Sequence, residues 1–235
     1  MARILAKKGY DLILVARRKE RMLELKKELG TNITIISMDL SVEENCFKLY
    51  EKVRNKKIDV LINNAGFGLF GEFVKTDLDT ELKMIDLNIK SYHILTKLFL
   101  QDFVKRDEGY ILNVCSSAGF MAGPRLSTYY ATKNYVTKLT MAINEELRVA
   151  KSHVTISALC PGPVATEFNE VAHGTFAIRE ASSYEVAKYA IDKLFQRKMI
   201  IVPTLMMKLT LFFNRLAPYR LSLYIAYKIQ MRKSK

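Results

Sequence analysis

The sequence predicts a single α/β domain, a doubly wound parallel sheet with helices on both faces. Short apolar runs alternate along the chain with amphipathic segments of helical period, and this alternation is typical of parallel sheets. The 235 residues, 49% of them hydrophobic, suffice for one substantial core. Small or polar residues follow the apolar runs, and ligands bind at the carboxyl ends of the strands in such sheets. One pattern therefore predicts both the fold and the edge that carries the site.

The first half of the chain holds three predicted strands and the helices between them. A helix end closes at Gly9, and a capping box, Ser41-x-x-Glu44, opens a later helix. In order, we predict a helix at 3–9, a strand at 10–16, a helix at 19–29, a strand at 33–38, a helix at 41–55 and a strand at 58–62.

The second half continues the same alternation. A helix begins near Ser127 or Thr128, both good N-caps, and Ser182 forms a second capping box with Glu185. In order, we predict a helix at 79–104, a strand at 110–115, a helix at 128–150, a strand at 154–159, a helix at 182–195 and a strand at 199–202.

Cysteine and histidine usage excludes a metal site. The three cysteines, Cys46, Cys115 and Cys160, lie far apart without a C-x-x-C pair, and the three histidines are equally scattered. Unpaired cysteines suit a reducing compartment, so we expect a cytoplasmic protein. We find no secretory signal and no run of about eighteen apolar residues that would span a membrane.

The net charge of +13 is concentrated at the C-terminal end, where residues 193–235 hold ten Lys or Arg and no Asp or Glu. Within residues 204–235 these basic side chains alternate with Leu, Phe, Met and Tyr, which indicates a basic amphipathic segment. Two interpretations stay open: the segment lies on an anionic membrane surface, or its apolar face packs on the domain or on a second subunit. We do not expect nucleic-acid binding, because no recognised binding fold accompanies the charge.

The candidate catalytic residues are Ser116, Tyr129 and Lys133. Tyr129 and Lys133 are four apart and share a helix face, and a nearby ammonium favours the phenolate of a tyrosine whose pKa is ordinarily about 10. A hydroxyl at the end of the neighbouring strand can hold a substrate oxygen against the phenol. Other Tyr-x-x-x-Lys pairs occur along the chain, but only the pair at 129 has a serine thirteen residues upstream. Ser117 is the alternative to Ser116.

These residues, with Asn63-Asn64-Ala65-Gly66 before them and Pro161-Gly162 after, resemble the short-chain dehydrogenase/reductases, from the chain start to about residue 203. The resemblance implies a Rossmann-like domain over 1–203 and a ketoreductase activity. It also implies homo-oligomers paired through the long helices.

The resemblance further implies roles for individual residues. Tyr129 is the general acid for reduction and the general base for oxidation, and Ser116 positions the substrate oxygen. Lys133 lowers the pKa of Tyr129 and binds the ribose of the cofactor. Asn88 bends its helix and holds a water of the proton relay.

The resemblance also implies a nicotinamide cofactor. Arg17 and Arg18 follow the first strand, where NAD-dependent members usually carry an acid, so we predict NADP, whose extra phosphate suits guanidinium groups. Asp39 is expected to face the adenine, and Tyr129 and Lys133 the nicotinamide half. The other expected cofactor contacts are Asn63, Ala65 and Gly66 in one turn and Pro161, Gly162, Val164 and Thr166 in another.

Apolar residues near these turns indicate an apolar pocket, and hence a lipid-like carbonyl substrate. The loop at 164–181 is a predicted lid. The candidate lining residues are Phe67, Leu69, Phe70, Phe120, Met121, Phe168 and Phe176.

One departure from the family pattern concerns the N-terminal end. The family normally begins with a strand and a T-G-x-x-x-G-x-G turn that receives the cofactor pyrophosphate, and neither occurs here. We therefore expect an incomplete chain with unpaired strand edges, poor stability and weak or absent cofactor binding. The leading hypothesis is an NADP-dependent oxidoreductase. The alternative is a truncated, non-catalytic member that acts at a membrane surface or in an interaction.

Overall fold

In the computed structural model, which describes residues 1–166 and 180–231, helices and strands alternate as predicted. The elements are α1 (Ala2–Lys7), β1 (Leu12–Ala16), α2 (Lys19–Glu28), β2 (Ile33–Ser37), α3 (Glu43–Val53), β3 (Val60–Asn63), α4 (Leu78–Ile85), a π-helical segment (Asp86–Lys90), α5 (Ser91–Arg106), β4 (Tyr110–Val114), a 3₁₀ turn (Ser117–Phe120), α6 (Ser127–Val149), β5 (Thr155–Leu159), α7 (Ser183–Phe195), β6 (Ile200–Ile201), α8 (Leu205–Leu216) and α9 (Tyr219–Met231).

The strands of the described part of the chain are parallel and form two groups. One is the pair β1–β2, in which Leu12 lies opposite Ile33. The other is a four-stranded sheet in the order β3-β4-β5-β6, in which Tyr110 of β4 lies between Val60 and Thr155. The predicted Rossmann-like, doubly wound architecture is confirmed.

The two groups of strands are not joined by hydrogen bonds, so β1 and β3 each have an open edge facing the other. The unpaired edges predicted from the sequence are therefore present. A cavity of 1740 Å³ reaches into this gap and is lined there by residues of both β1 and β3. The gap matters for the site because the same cavity continues to the carboxyl ends of β4 and β5.

Two apolar clusters cover the two faces of the sheet, as expected when neighbouring strand residues point in opposite directions. Leu112 belongs to the cluster that holds α1 and α7, and its neighbour Ile111 to the cluster that holds α3, α5 and part of α6. The sheet is therefore sandwiched between helices, with the strand ends left free at one edge.

Most predicted boundaries agree within two residues, but two predicted caps are wrong. Ser41 donates its backbone N–H and hydroxyl to the Asp39 carboxylate, so it does not cap α3, whose N-cap is Val42. Leu126 precedes α6, and neither Ser127 nor Thr128 caps that helix. The predicted N-cap of α7 is confirmed, since the Ser182 hydroxyl accepts a hydrogen bond from the Glu185 N–H.

The predicted long helix is interrupted by its π-helical segment, which lies between α4 and α5 and contains Asn88. Such a segment adds one residue to a turn and redirects the side chains that follow it. Among the helices in 1–166 and 180–231, none combines the length and the apolarity needed to cross a bilayer.

Candidate active site

The hydroxyls of Ser116 and Tyr129 meet at the carboxyl end of β4. Ser116 lies two residues beyond β4 and caps the 3₁₀ turn, where its Oγ accepts from the Ala118 N–H at 3.1 Å. Tyr129 lies in the first turn of α6, and its phenol is hydrogen-bonded to the Ser116 hydroxyl. The structure thus brings together the alcohol and the phenol that the sequence singled out.

Lys133 lies one helical turn after Tyr129 and is only 4% exposed. Its Nζ donates to the Val114 carbonyl at 2.8 Å, which holds the side chain against the end of β4. The same Nζ lies 5.2 Å from the ring centroid of Tyr92 and 5.9 Å from that of Tyr129. An ammonium is therefore fixed behind the phenol by a carbonyl and two aromatic faces.

Burial dominates the proton affinities of both groups. It raises the pKa of the Tyr129 phenol well above its usual value, and the hydrogen bond with Ser116 only partly opposes that rise. Burial lowers the pKa of the Lys133 ammonium to about 8, against the influence of the nearby Cys115 and Cys160 thiols. Burial outweighs every other influence on the Tyr129 phenol, and Lys133 is not among the groups that shift its pKa here, so the lowering of that pKa by Lys133 stays a prediction.

Asn88 is fully buried and joins the π-helical segment to the loop after β3. Its Nδ2 donates to the Phe67 carbonyl at 2.9 Å and to Thr132 Oγ1 at 3.1 Å, and its Oδ1 accepts from the Phe67 N–H at 3.2 Å. A Cβ on Gly66 would lie 2.9 Å from that Oδ1 and 3.5 Å from Lys133 Nζ. The side-chain amide therefore holds the loop; its place in a proton relay stays a prediction.

A buried polar network that was not predicted from the sequence lies behind this loop. Asn63 Nδ2 donates to Asn113 Oδ1 at 2.8 Å and to Thr96 Oγ1 at 3.1 Å, and Asn113 Nδ2 donates to Thr140 Oγ1 at 2.9 Å. The side-chain amide nitrogen of Asn63 is thus committed to this interior network. An asparagine inside the apolar run of β4 was the available signal, because a buried amide needs partners.

The two arginines after β1 lie at the far end of the cavity. Arg17 and Arg18 are exposed and line it, and Arg17 Nη1 is 3.8 Å from the Asp39 carboxylate. Burial disfavours the ionised Asp39, but the hydrogen bonds from Ser41 and the charge of Arg17 outweigh it and lower the pKa of this carboxyl. The structure therefore leaves a basic rim at this end, with one partly compensating acid.

The turn after β5 lies beside the catalytic candidates. The Ser117 N–H donates to the Pro161 carbonyl at 2.8 Å, which ties this turn to the end of β4. A Cβ on Gly162 would lie 2.8 Å from the Met207 side chain of α8, so α8 packs directly on the turn. Val164 pairs with Ala181, which closes the base of the loop predicted as a lid; residues 167–179 of that loop lie outside the described residues.

One cavity of 1740 Å³ connects these features. It runs from Arg17 and Arg18, past Ala65 and Gly66, to Tyr129 and Lys133, and it also borders Pro161, Gly162, Val164 and Thr166. Both ends fit a dinucleotide: the basic rim suits a phosphorylated ribose, and the phenol and ammonium suit the nicotinamide half. The family's Gly-rich turn, which would receive the pyrophosphate between them, has no counterpart in residues 1–235.

The predicted apolar lining is partly right. Phe67 and Met121 line the cavity, and its apolar lining also includes residues that were not predicted, among them Leu126, Met207, Ala226 and Ile229. Of the other candidates, Leu69 and Phe70 pack against a small cluster that includes Met84, Phe120 packs against the cluster around Val136, and Phe168 and Phe176 lie outside the described residues.

The remaining sequence candidates do not form a second site. Tyr184 and Tyr224 are exposed and so are their lysine partners, as expected for surface helix residues. All three cysteines are buried and unpaired, and residues 1–166 and 180–231 hold no group of His, Cys, Asp or Glu that could bind a metal.

Comparison with known proteins agrees with this geometry. The family model of the short chain dehydrogenases matches residues 1–177. Dehydrogenase/reductase SDR family member 11 of Bos taurus is 31% identical over 199 residues, 80% of this chain and 78% of that protein. The NADP-dependent 3-hydroxy acid dehydrogenase YdfG of Escherichia coli is 34% identical over 169 residues, 69% of this chain and 66% of that protein.

A solved structure of similar architecture comes from Sphingobium yanoikuyae. This short-chain dehydrogenase in complex with NADPH has a TM-score of 0.80 and 28% identity, and the match covers 87% of this chain and 82% of that one. The present chain therefore belongs to the NAD(P)-dependent short-chain dehydrogenase/reductase family.

Proposed function

We propose that this protein is an NADP-dependent oxidoreductase that transfers a hydride between the nicotinamide and the carbonyl or alcohol carbon of an apolar, lipid-like substrate. One observation carries the proposal: the hydrogen-bonded hydroxyls of Ser116 and Tyr129 lie in the same cavity as the guanidinium groups of Arg17 and Arg18.

In the proposed reaction, the nicotinamide supplies or accepts the hydride when it is bound, and the side chains handle the substrate oxygen. Ser116 orients that oxygen, and Tyr129 donates a proton to it during reduction. The pKa of Tyr129 lies above neutral pH, so the phenol carries the proton that reduction requires, and stabilisation of the resulting phenolate is left to its neighbours.

Lys133 and Asn88 support this chemistry from behind. The Lys133 ammonium, fixed by the Val114 carbonyl, would stabilise the phenolate that proton donation leaves, and it would hold the ribose. Asn88 holds the loop at Gly66 and Phe67 through hydrogen bonds on both sides of its amide. Pro161, Gly162, Val164 and Thr166 border the nicotinamide end.

The NADP preference rests on charge at the far rim. Arg17 and Arg18 offer two guanidinium groups, which match a phosphate better than the hydroxyls of NAD. Asp39, Ala65 and Gly66 line the path between the two ends, and we propose them as backbone or side-chain contacts of the adenosine half.

The proposal of an apolar substrate depends on the apolar side chains that line the cavity. Phe67, Met121, Leu126, Met207 and Ile229 present carbon surfaces to the cavity near Tyr129. The direct test measures NADPH oxidation with ketones of increasing chain length. Rates that rise with chain length support the proposal, and rates confined to small polar ketones would refute the substrate class.

The alternative is a non-catalytic family member, which the lack of a Gly-rich turn favours. A titration with NADPH separates the two, since a folded chain without affinity for NADPH would support the alternative. For the other interactions, we propose a homo-oligomer paired through the long helices and peripheral contact of residues 204–235 with membranes.

A further inference from the structure

The helix α8 exposes its apolar side instead of burying it. Leu205, Leu209, Phe212, Phe213 and Leu216 recur at helical spacing and are 50–72% exposed. The side of α8 turned to the domain is narrower and carries Met207, Leu211 and Asn214. A helix that only packed on its own domain would place these leucines and phenylalanines inward.

The helix α9 repeats this arrangement. Its covered side consists of Ser222, Ala226, Ile229 and Gln230, of which two are polar and one is small. Its exposed side carries Leu221, Leu223, Tyr224, Ile225 and Tyr227. We call the exposed sides of α8 and α9, taken together, the α8–α9 face. Clustered exposed apolar side chains with basic residues among them are typical of an interaction site.

The basic residues around the α8–α9 face indicate which partner it binds. Lys208, Arg215, Arg220 and Lys228 are exposed on the same two helices, and the sequence holds no Asp or Glu from 193 to 235. A second copy of the chain docked through this face would bring like charges together with no acid to compensate. An anionic bilayer offers the opposite charge together with an apolar interior.

We propose that the α8–α9 face docks on an anionic membrane surface. The opposite side of α9 borders the cavity through Ala226, Ile229 and Gln230, and Gln230 Nε2 donates to the Tyr130 hydroxyl at 3.0 Å, next to Tyr129. Docking therefore places the apolar end of the cavity one helix away from the lipid. In consequence, an apolar substrate enters from the bilayer; this consequence rests on the proposed function, whereas docking itself does not.

The absence of tryptophan from the sequence allows a specific probe. Phe213→Trp places a single indole on the α8–α9 face, and Phe73→Trp places a matched control elsewhere, since Phe213 is 63% exposed and Phe73 64%. With vesicles of equal parts phosphatidylglycerol and phosphatidylcholine, we expect a blue shift of the emission for the Phe213→Trp protein only. Pure phosphatidylcholine vesicles should give a much smaller shift.

Variants in the otherwise native chain then measure the two components of binding by vesicle sedimentation. Leu209→Ser/Phe212→Ser should lower partitioning at least tenfold, whereas Phe73→Ser/Val74→Ser, also exposed, should not change it. Arg215→Gln/Arg220→Gln should lower it about 25-fold, about fivefold for each charge, against no change for the exposed α3 pair Lys48→Gln/Lys52→Gln.

Three outcomes would overturn the proposal. They are no partitioning onto anionic vesicles, an equal loss in the control variants, and a concentration-dependent dimer that Leu209→Ser/Phe212→Ser abolishes, which would assign the face to a second copy. Vesicle binding needs no catalytic turnover, so its failure is distinguishable from failure of the oxidoreductase proposal.

The entry route of the substrate is tested separately. The Leu209→Ser/Phe212→Ser protein should reduce a water-soluble ketone at the native rate and a vesicle-embedded ketone more slowly. Equal slowing on both, or on neither, would refute the route.

Discussion

Asn88 and Phe67 are joined by hydrogen bonds in both directions, Nδ2 to the Phe67 carbonyl at 2.9 Å and the Phe67 N–H to Oδ1 at 3.2 Å. This pair fixes the loop after β3 to the π-helical segment. These two hydrogen bonds form a clamp around Gly66. A side chain does not fit there, since a Cβ on Gly66 would lie 2.9 Å from Asn88 Oδ1. The loop that borders the cavity therefore depends on a glycine at this position.

Replacement of Gly66 by alanine tests the clamp. Gly66→Ala must displace the Asn88 amide, so we expect a loss of about 1–3 kcal/mol in the free energy of unfolding and weaker NADPH binding. Gly30→Ala is the matched control, because a Cβ there meets no atom within 4 Å. Chemical unfolding and NADPH titration measure both effects. Equal unfolding free energies and equal NADPH affinities of the two variants would show that the Asn88–Phe67 hydrogen bonds tolerate a side chain at position 66.

Replacement of Lys133 by methionine should stabilise the protein while removing its activity. Because burial lowers the pKa of Lys133 to about 8, from 10.5, the buried ammonium costs roughly 3 kcal/mol near neutral pH. The Val114 carbonyl is not orphaned by the change, since the Tyr92 hydroxyl also donates to it at 3.3 Å. We expect Lys133→Met to raise the free energy of unfolding by about 1–3 kcal/mol at pH 7.

The pH dependence separates this effect from a change in packing. Between pH 8 and 10.5 the unfolded chain holds a proton on Lys133 that the folded chain has lost, so the stability of the native protein rises relative to that of Lys133→Met. The difference in unfolding free energy by which Lys133→Met exceeds the native protein should therefore decrease from pH 8 to pH 10.5. Lys138→Met, at an exposed position of the same helix, is the control. A stability difference that stays constant with pH would contradict the buried ammonium of Lys133 as its cause.

The arginine pair after β1 is tested by cofactor preference. Arg17→Ala/Arg18→Ala should weaken NADPH binding by about 10- to 100-fold, the value of one or two charge-assisted hydrogen bonds, and leave NADH binding nearly unchanged. Lys27→Ala, an exposed position of α2, should alter neither. Equal losses for both cofactors would mean that the pair supports the fold and does not select the phosphate.

The buried amide network is tested by a double-mutant cycle. Asn113→Leu removes the acceptor of Asn63 and the donor to Thr140, and we expect it to cost about 1–3 kcal/mol of unfolding free energy. Thr140→Val removes one partner of the same network. Because the two side chains share one network, the losses of unfolding free energy in Asn113→Leu and Thr140→Val should not add up in the double variant. Additive costs from unfolding curves would show that the groups act independently.

The order of strands and helices could be predicted from the sequence because apolar runs and capping residues are local signals. The convergence at the end of β4 followed from topology, since a parallel sheet brings strand ends to one edge. The capping signal failed where a second local partner competes, since Ser41 bonds the carboxylate of Asp39, two residues earlier, in place of capping α3. The open strand edges between the two sheet groups were predicted because the strand and Gly-rich turn that begin other family members do not occur in this sequence.

Burial was the main quantity that the sequence did not contain. The spacing of Tyr129 and Lys133 predicts their adjacency but not the depth of the site, which raises the pKa of the phenol and lowers that of the ammonium. The amphipathic pattern of α8 and α9 was equally visible, whereas the side that faces outward was not. Each of these properties depends on what the rest of the chain places nearby.

The most direct test of the proposed mechanism compares two tyrosines with the same local motif. Tyr129 lies buried beside Ser116, and Tyr184 is 49% exposed with its own lysine at 188. With NADPH and an apolar ketone, we predict that Tyr129→Phe lowers kcat by about 10²- to 10⁴-fold, while Tyr184→Phe keeps the native rate. An unchanged kcat for Tyr129→Phe would contradict the role of this phenol as the proton donor.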